Sequence, residues 1–511
     1  MKDSFGEIDG KASPVAGAAP SPHGDIPIAT LPTPSLFAIL PYIMLPMALA
    51  VADQTIVSTA LPAIAGSLGG VTRISWVVVA TLVSATIAAP VYGQLRDVVG
   101  SRPMMLIALG IYMGASLVSA ASMSFAMLVV GRVLQGLGGG GLMTLSQALI
   151  GEAIPPRERA KYQGYLAAVM VTATTAGPLL GGYLTAHFGW RSIFVFNLPL
   201  AGIAVLLTLI GPARSVSPRA GWSFDYSGLM LFVGFIAPLL IALDAARQLT
   251  TETLPGLLLL VVVSAVSLVW LLRHELAVPF PLFPVALLRQ RTIWMSDLLA
   301  ATHGAVLVSL VILLPLYLHV MRETTAAETG LLLLPLMLGI GTGSMITGRL
   351  VSRTGRTALF PRVGLCFAAV MLTAQAFGLA YLTLPQLGFS LFAAGMAMGT
   401  VMGVVQVTVQ AVAGRSALGA AAASVQIARS VGAAVGAAAT GAVLLAAVHM
   451  GAPDATRVFE AYFELRASAV ALPAPEVSAT IALAFKLAFL AIAAFACAGA
   501  VVAWLVPERR L

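Results

Sequence analysis

The chain has 511 residues, 59% of them hydrophobic and only 9% charged, with a mean hydropathy of +0.97. That is far more apolar surface than one soluble core can hide, which excludes a soluble globular fold and predicts an all-α polytopic membrane protein. The formal charge of +8 lies in short clusters that membrane topology explains, excluding a nucleic-acid partner, and the two cysteines, Cys366 and Cys497, sit in apolar runs as core thiols rather than a disulfide framework.

Residues 1–34, with Pro14, Pro20, Pro22, Pro27, Pro32 and Pro34 among small polar residues, read as a disordered cytoplasmic tail without the apolar stretch of a cleavable signal. The first predicted span, 36–63, carries Asp53-x-Thr55-Ile56-Val57 and Leu61-Pro62. Asp53 falls about 16 Å from its outer end at about 1.5 Å per residue. The second, 75–95, runs into Gly93-Gln-Leu95-Arg-Asp97-Val-Val-Gly100-Ser-Arg102. In the same relation to a later span, 255 residues further on, comes Gly348-Arg-Leu350-Val-Ser-Arg353-Thr-Gly355-Arg356. A membrane chain that repeats its own half is most often a transporter that rocks one half against the other. Gly93 allows two helices to approach closely, while Asp97 can cap a helix start or pair with a cytoplasmic arginine and latch a gate. An ordinary charged turn is the plain alternative. Ser352 occupies the Asp position of the second copy, so any latch there is expected to be weaker.

After a third span, 104–122, the fourth, 126–150, contains Leu128-x-x-x-Arg132-x-x-Gln135-Gly136-x-Gly138. An arginine within hydrocarbon is costly and is normally kept for function or paired inward, the alternative being a side chain that snorkels to the outer interface. Arg132 lies about 10 Å from the outer end at about 1.5 Å per residue, so it can meet Asp53. Gly138 to Gly141 predict tight helix contact. In the fifth span, 162–186, Gly164 is followed by Ala173, Gly177-Pro178 and Gly181-Gly182. The small residues at 173, 177 and 181 share a face, and Pro178 removes a backbone donor and bends the helix. The sixth, 192–211, opens on Trp190-Arg191-x-x-Phe194-x-x-Asn197-x-Pro199.

Spans seven and eight, 226–247 and 254–272, sit between loops rich in Pro and Arg. Span nine, 293–318, holds Asp297, first read as an interfacial partner of Arg289 or Arg291 and second as a cavity residue. His303, six residues on, faces another way. Gly330 to Pro335 lead through span ten, 328–348, to Gly348. Spans 359–381, 384–410, 421–448 and 479–506 follow, with Arg429-x-x-Gly432-x-x-x-Gly436 in the thirteenth and Lys486, read as snorkelling outward, in the last. Residues 451–478 read as an amphipathic external loop. Of the 28 Lys and Arg, 19 fall on the side of both termini and 6 on the other, with Arg132, Arg429 and Lys486 inside spans. This places both termini in the cytoplasm.

The repeat spacing corresponds to eight spans, so two helices stand between six-helix halves. The expected division is a tail 1–34, an N-terminal bundle 35–211, a two-helix insert with its loops 212–291, a C-terminal bundle 292–506 and a tail 507–511.

With these motifs in this order, the chain resembles the fourteen-span drug:proton antiporters of the major facilitator superfamily over nearly all residues after about 35. Ala173 replaces a glycine of that family's antiporter signature. Val98 stands where the family usually has a basic residue. The resemblance implies a 6 + 2 + 6 major facilitator fold and proton-coupled export of hydrophobic or cationic drugs and toxic compounds, multi-pass in the cytoplasmic (inner) membrane. The alternative is an exporter or flippase of a lipid-like or endogenous metabolite. Depth and charge point to Asp53 and Arg132 for proton coupling, with Gln135, Asp297 and His303 as candidates for the substrate cavity, Gly93, Asp97, Gly100 and Arg102 for the gating loop, and Gly164, Gly177, Pro178, Gly181 and Gly182 for the antiporter helix. Burial opposes a charge on Asp53 and Arg132 favours it, so the carboxyl can take a proton outside and release it inside. A purely structural Asp53 is the alternative. The expected partners are a small-molecule substrate, protons and the lipid bilayer, with the protein a monomer. No cofactor or metal is expected, there is no phosphate-binding Gly-Lys-Ser/Thr loop for ATP, and the scattered histidines argue against an enzyme.

Overall fold

A computed structural model describes residues 36–68, 74–211, 222–246, 253–283, 285–324, 326–379, 381–414, 417–451 and 475–508. The expected tail 1–34 and nearly all of the expected amphipathic loop lie outside the described residues. So do Arg73, Arg214, Arg219, Arg247, Arg415, Arg457, Arg466, Arg509 and Arg510 of the charge count.

In hydrocarbon every backbone N–H and C=O must be satisfied within the protein, and a helix does this by itself. The chain accordingly forms α1 Leu36–Leu68, α2 Trp76–Val99, α3 Ser101–Ala120, α4 Phe125–Ala153, α5 Pro156–Phe188, α6 Ser192–Ile210, α7 Tyr226–Ala245 and α8 Leu254–Ala277. A short α9 Val285–Leu288 precedes α10 Arg291–Arg322, α11 Ala326–Thr354 and α12 Leu359–Gly378. Then come α13 Leu384–Met398, α14 Met402–Ala413, α15 Leu418–His449 and α16 Pro475–Leu505. No strand occurs among the described residues, and fourteen helical stretches are long and apolar enough to cross a membrane, α13 and α14 counting as one. Several helices outrun the predicted spans, because hydropathy marks the hydrocarbon while the helix continues through the interface. Thus α5 starts at Pro156, a residue suited to a first turn, with Glu158 beside it at the positive end of the dipole.

Helices α1 to α6 share two apolar cores, one containing Tyr42, Met105, Leu109, Leu145 and Ala204, the other Ile56, Ile64, Val77, Leu128 and Phe194. A large core joins α10 to α16 through Leu310, Leu336, Leu372, Leu391, Val425, Phe485 and Phe489. Helix α7 bridges the two sets: Phe232, Ile236 and Leu240 pack on Leu82 and Ile87 of α2 and on Ile427, Val431 and Ala434 of α15. Helix α8 leans on α7, where Ser264 donates to the Phe235 carbonyl at 2.9 Å. Its remaining face exposes Leu258, Leu259, Val262, Val266 and Trp270, a surface suited to lipid.

Glycines let α4 sink among its neighbours. A Cβ on Gly138 would lie 2.8 Å from Tyr112 of α3, and one on Gly140 would lie 2.7 Å from the Ala85 Cα of α2. Cys497 corrects the core-thiol reading, since it is exposed, whereas Cys366 is half-buried and accepts from Trp504 Nε1 at 3.4 Å. Lys486 places its ammonium 4.3 Å from the centre of the Phe377 ring.

Candidate functional site

Asp53 lies near the middle of α1, and α4 brings Arg132 to it. Arg132 Nη1 donates to Asp53 Oδ2 at 2.7 Å and to Gln135 Oε1 at 2.7 Å. Gln135 Nε2 in turn donates to Asp53 Oδ1 at 3.1 Å and to Ser116 Oγ of α3 at 3.2 Å. Asn197 Nδ2 of α6 donates to Asp53 Oδ1 at 2.9 Å, and Arg132 Nε donates to the Val77 carbonyl of α2 at 3.2 Å. Asp53 is 2% exposed and Arg132 1%. The expected meeting of Asp53 and Arg132 is therefore found, and Arg132 does not snorkel. Gln135 is a ligand of the carboxylate. Asn197, to which sequence reasoning gave no role, is another, so five helices converge on one buried, charge-balanced network.

Of the other cavity candidates, neither joins this network. Asp297 is 7% exposed and accepts from Ser424 Oγ of α15 at 3.3 Å. No cation lies within ion-pair distance of it among the described residues, which corrects the expected partnership with Arg289 or Arg291. A side chain one and a half turns into α10 faces the neighbouring helix, not the water. His303 is buried beside α15, away from Asp297 as expected.

A second polar cluster occupies the end of the bundle where α2 meets α3. Arg96 reaches Asp97 Oδ1 at 2.8 Å, Ser101 Oγ at 2.9 Å and Glu152 Oε2 at 3.1 Å, and Ser101 donates to Glu152 at 2.7 Å. Asp97 pairs with an arginine, as expected, but with its own neighbour. Arg96, from sequence only one of the cytoplasmic charges, is the hub, and it reaches Glu152 at the end of α4. Arg102 donates to the Leu209 carbonyl at the end of α6.

The two sequence copies perform the same geometric task. Gly100 and Gly355 hold φ of 99° and 71°, a left-handed backbone open to glycine, and there α2 turns into α3 and α11 into α12. Gly93 touches the second half, since a Cβ on it would lie 2.8 Å from the Gly419 carbonyl oxygen of α15. Gly348 meets the Ala160 carbonyl of α5, where a Cβ would stand 3.3 Å from the Lys161 Cα. Gly164 stands against Met345 Cα, at 2.8 Å from its own would-be Cβ. In the second copy the carboxylate comes from the segment that follows α16, Arg356 Nε standing 3.8 Å from Glu508 Oε1, and Arg157 donates to the Ser352 and Arg353 carbonyls at 3.3 and 3.4 Å. Toward its other end α5 leaves Leu179, Tyr183 and Phe188 exposed. The halves thus close at the end bearing the repeated loops.

Within the first half, Gly177 and Gly181 seat α5 on α1, a Cβ lying 3.3 Å from Ile56 N and 2.6 Å from the Ile56 carbonyl, respectively. Pro178 is exposed. Gly182 departs from the expectation for this cluster: nothing lies within 4 Å of a Cβ built there. It stands one residue, about 100° of helix, off the face shared by 177 and 181. No group of three or more metal-ligating side chains occurs among the described residues.

Residues 43–437 match the family model of the Major Facilitator Superfamily. Among curated proteins the chain is 30% identical over 325 residues to the Acurin A biosynthesis cluster MFS-type transporter of Aspergillus aculeatus, covering 62% of this chain and 58% of that one. It is 32% identical over 332 residues to the efflux pump dotC of Dothistroma septosporum, covering 63% and 56%. To the multidrug transporter protein MdtP of Bacillus subtilis it is 29% identical over 303 residues, covering 59% and 56%. The chain therefore spans little more than half the length of these relatives. Of solved structures, the human organic anion transporter MFSD10 is matched with a TM-score of 0.62 at 15% identity, covering 92% of this chain and all of that one. The proton:xylose symporter XylE gives 0.60 at 15% identity, covering 93% and 96%. At such identity the likeness is one of fold.

Proposed function

The chain belongs to the major facilitator superfamily, a family of transporters rather than enzymes, and we propose that it is a proton-coupled antiporter exporting hydrophobic or toxic compounds by alternating access. The observation that carries this reading is the mid-span Asp53–Arg132 pair, sealed by Gln135 and Asn197. A buried carboxylate at mid-span is expensive and is normally kept for function, and an ion-coupled exchange needs such a group. Relatives named as efflux pumps and a multidrug transporter support the export direction. The halves 35–211 and 292–506 rock against each other, with 212–291 spanning between them. The gate at the repeated loops is the cytoplasmic one, both termini are cytoplasmic, and the chain works as a monomer in the cytoplasmic membrane.

Everted vesicles energised by respiration are expected to accumulate at least one dye from a hydrophobic set containing both ethidium and a carboxylated fluorophore, and to lose it when a protonophore is added. Accumulation indifferent to the protonophore would remove proton coupling.

The gate has its own test. Overpacking a helix contact costs about 1–3 kcal/mol, so Gly93→Val should force the closed end apart. Ser344, buried between α5 and α11 in this conformation, is then expected to react as Ser344→Cys with maleimide in a background lacking Cys366 and Cys497, roughly tenfold faster than without Gly93→Val. The reagent should act from the cytoplasmic face alone. Labelling from the external face would reverse the orientation, and an unchanged rate would relieve Gly93 of its gating role.

A further inference from the structure

The two halves treat their intramembrane arginines differently. Arg132 is neutralised by Asp53. Arg429 lies about 17 Å along α15 from its start at about 1.5 Å per residue, and no carboxylate is within ion-pair distance of it among the described residues. Its guanidinium donates to Gln426 Oε1 at 3.1 Å, leaving most of its N–H groups free. The residue is half-buried at mid-span. An unpaired cation at that depth is retained where it meets a partner from a water-filled path.

A second group points to the same partner. The backbone carbonyl of Arg429 lies against Gly304 of α10, the residue that follows His303. His303 is 3% exposed, and among the described residues neither ring nitrogen makes a hydrogen bond of normal geometry, the Met398 backbone being the polar group beside the ring. The nearest acid on its helix, Asp297, is about 9 Å back along the axis at about 1.5 Å per residue and is engaged by Ser424. A fixed positive charge, a side-chain amide and a weakly held imidazole therefore stand together with no carboxylate among the described residues to balance the charge.

We propose that Arg429, with Gln426 and His303, forms an anion-recognition site in the second half, and that the compound this chain moves carries a carboxylate, sulfonate or phosphate on a hydrophobic body. The proposal rests on the transport reading above and narrows it, since the cationic cargo expected from sequence would be repelled here. It also divides the labour: the first half holds the proton-binding carboxylate and the second holds the substrate's charge. Guanidinium suits the second task because it stays charged and offers a planar fork to two oxygens.

The test needs no gradient, so a failure of proton coupling leaves it unaffected. The full chain is placed in nanodiscs of phosphatidylcholine, and calorimetry measures binding of naphthoate, naphthylmethanol and naphthylmethylammonium, which share one apolar body. Naphthoate is expected to bind about tenfold or more tighter than the ammonium compound, the scale of one charge-assisted hydrogen bond. Arg429→Gln should bring the two within about threefold and leave naphthylmethanol unchanged, which also shows that the variant is folded. Arg429→Lys should keep part of the preference, and His303→Asn should weaken naphthoate alone. Equal or tighter binding of the ammonium compound, a preference that survives Arg429→Gln, or no binding of any probe would overturn the site. Adding phosphatidylglycerol identifies the source of the anion: displacement of naphthoate in the wild type but not in Arg429→Gln assigns a lipid phosphate, and no displacement assigns free organic acids.

Discussion

Asp53→Asn is expected to reduce gradient-driven export to the level of empty vesicles. The amide keeps the size and one oxygen of the carboxylate, so Gln135 and Asn197 can still donate to it, but it can neither bind a proton nor hold a charge opposite Arg132. Loss of one partner from a buried pair also leaves the other uncompensated, at a cost of about 3–5 kcal/mol, so a fall in stability is expected too. These two consequences separate in the double variant Asp53→Asn with Arg132→Gln. Removing both charges should recover most of the melting temperature, because a neutral pair in this dry site lacks the penalty of a lone guanidinium. Transport should remain absent, because the proton site is still missing. Asp53→Glu should keep partial activity. Efflux with full proton coupling in Asp53→Asn vesicles would give the network a structural role only and move suspicion to Asp297, a buried carboxylate that accepts from Ser424.

That the pair was legible in the sequence follows from helix geometry. Rise per residue converts position along a span into depth, and Asp53 and Arg132 count to overlapping depths from the same side. Rotation about the helix axis is not encoded in such counting, so the motif around Asn197 names no partner for it. An amide five residues into α6 was the available signal. The same gap misplaced Asp297. Ser424 lies six residues into α15 and Asp297 six residues into α10, both entering from the same end, so a depth count across the two helices points to each other, whereas sequence proximity pointed to Arg289 and Arg291. The turn glycines of the repeated loop were legible because a positive φ is a backbone requirement, and Gly100 and Gly355 both hold one. Its charge cluster was not, since Arg96 and Glu152 meet only once α2 and α4 are packed.

Gly177→Val is expected to leave expression near normal and to uncouple transport. A Cβ at position 177 runs into the Thr55 side chain, 2.8 Å from its Cβ and closer to its hydroxyl. Thr55 cannot simply swing clear, because its hydroxyl donates to the Ala52 carbonyl at 3.0 Å. The valine must therefore push α1 away from α5 at the turn that carries Asp53. Overpacking of this kind costs about 1–3 kcal/mol, enough to shift the Asp53–Arg132 geometry between conformers by roughly tenfold to a hundredfold without unfolding a fourteen-span protein. Substrate binding in the absence of a gradient should persist, since no ligand has been removed, while protonophore-sensitive accumulation should fall toward background. Gly182→Val supplies the control within the same motif. Nothing lies within 4 Å of a Cβ there, so the same change of residue should be silent in expression and in coupled transport alike. If both valines impair transport equally, the effect belongs to the local stiffness of α5 and not to its seat on α1. If Gly177→Val transports at the wild-type rate with normal coupling, the contact between the two helices has no part in alternation.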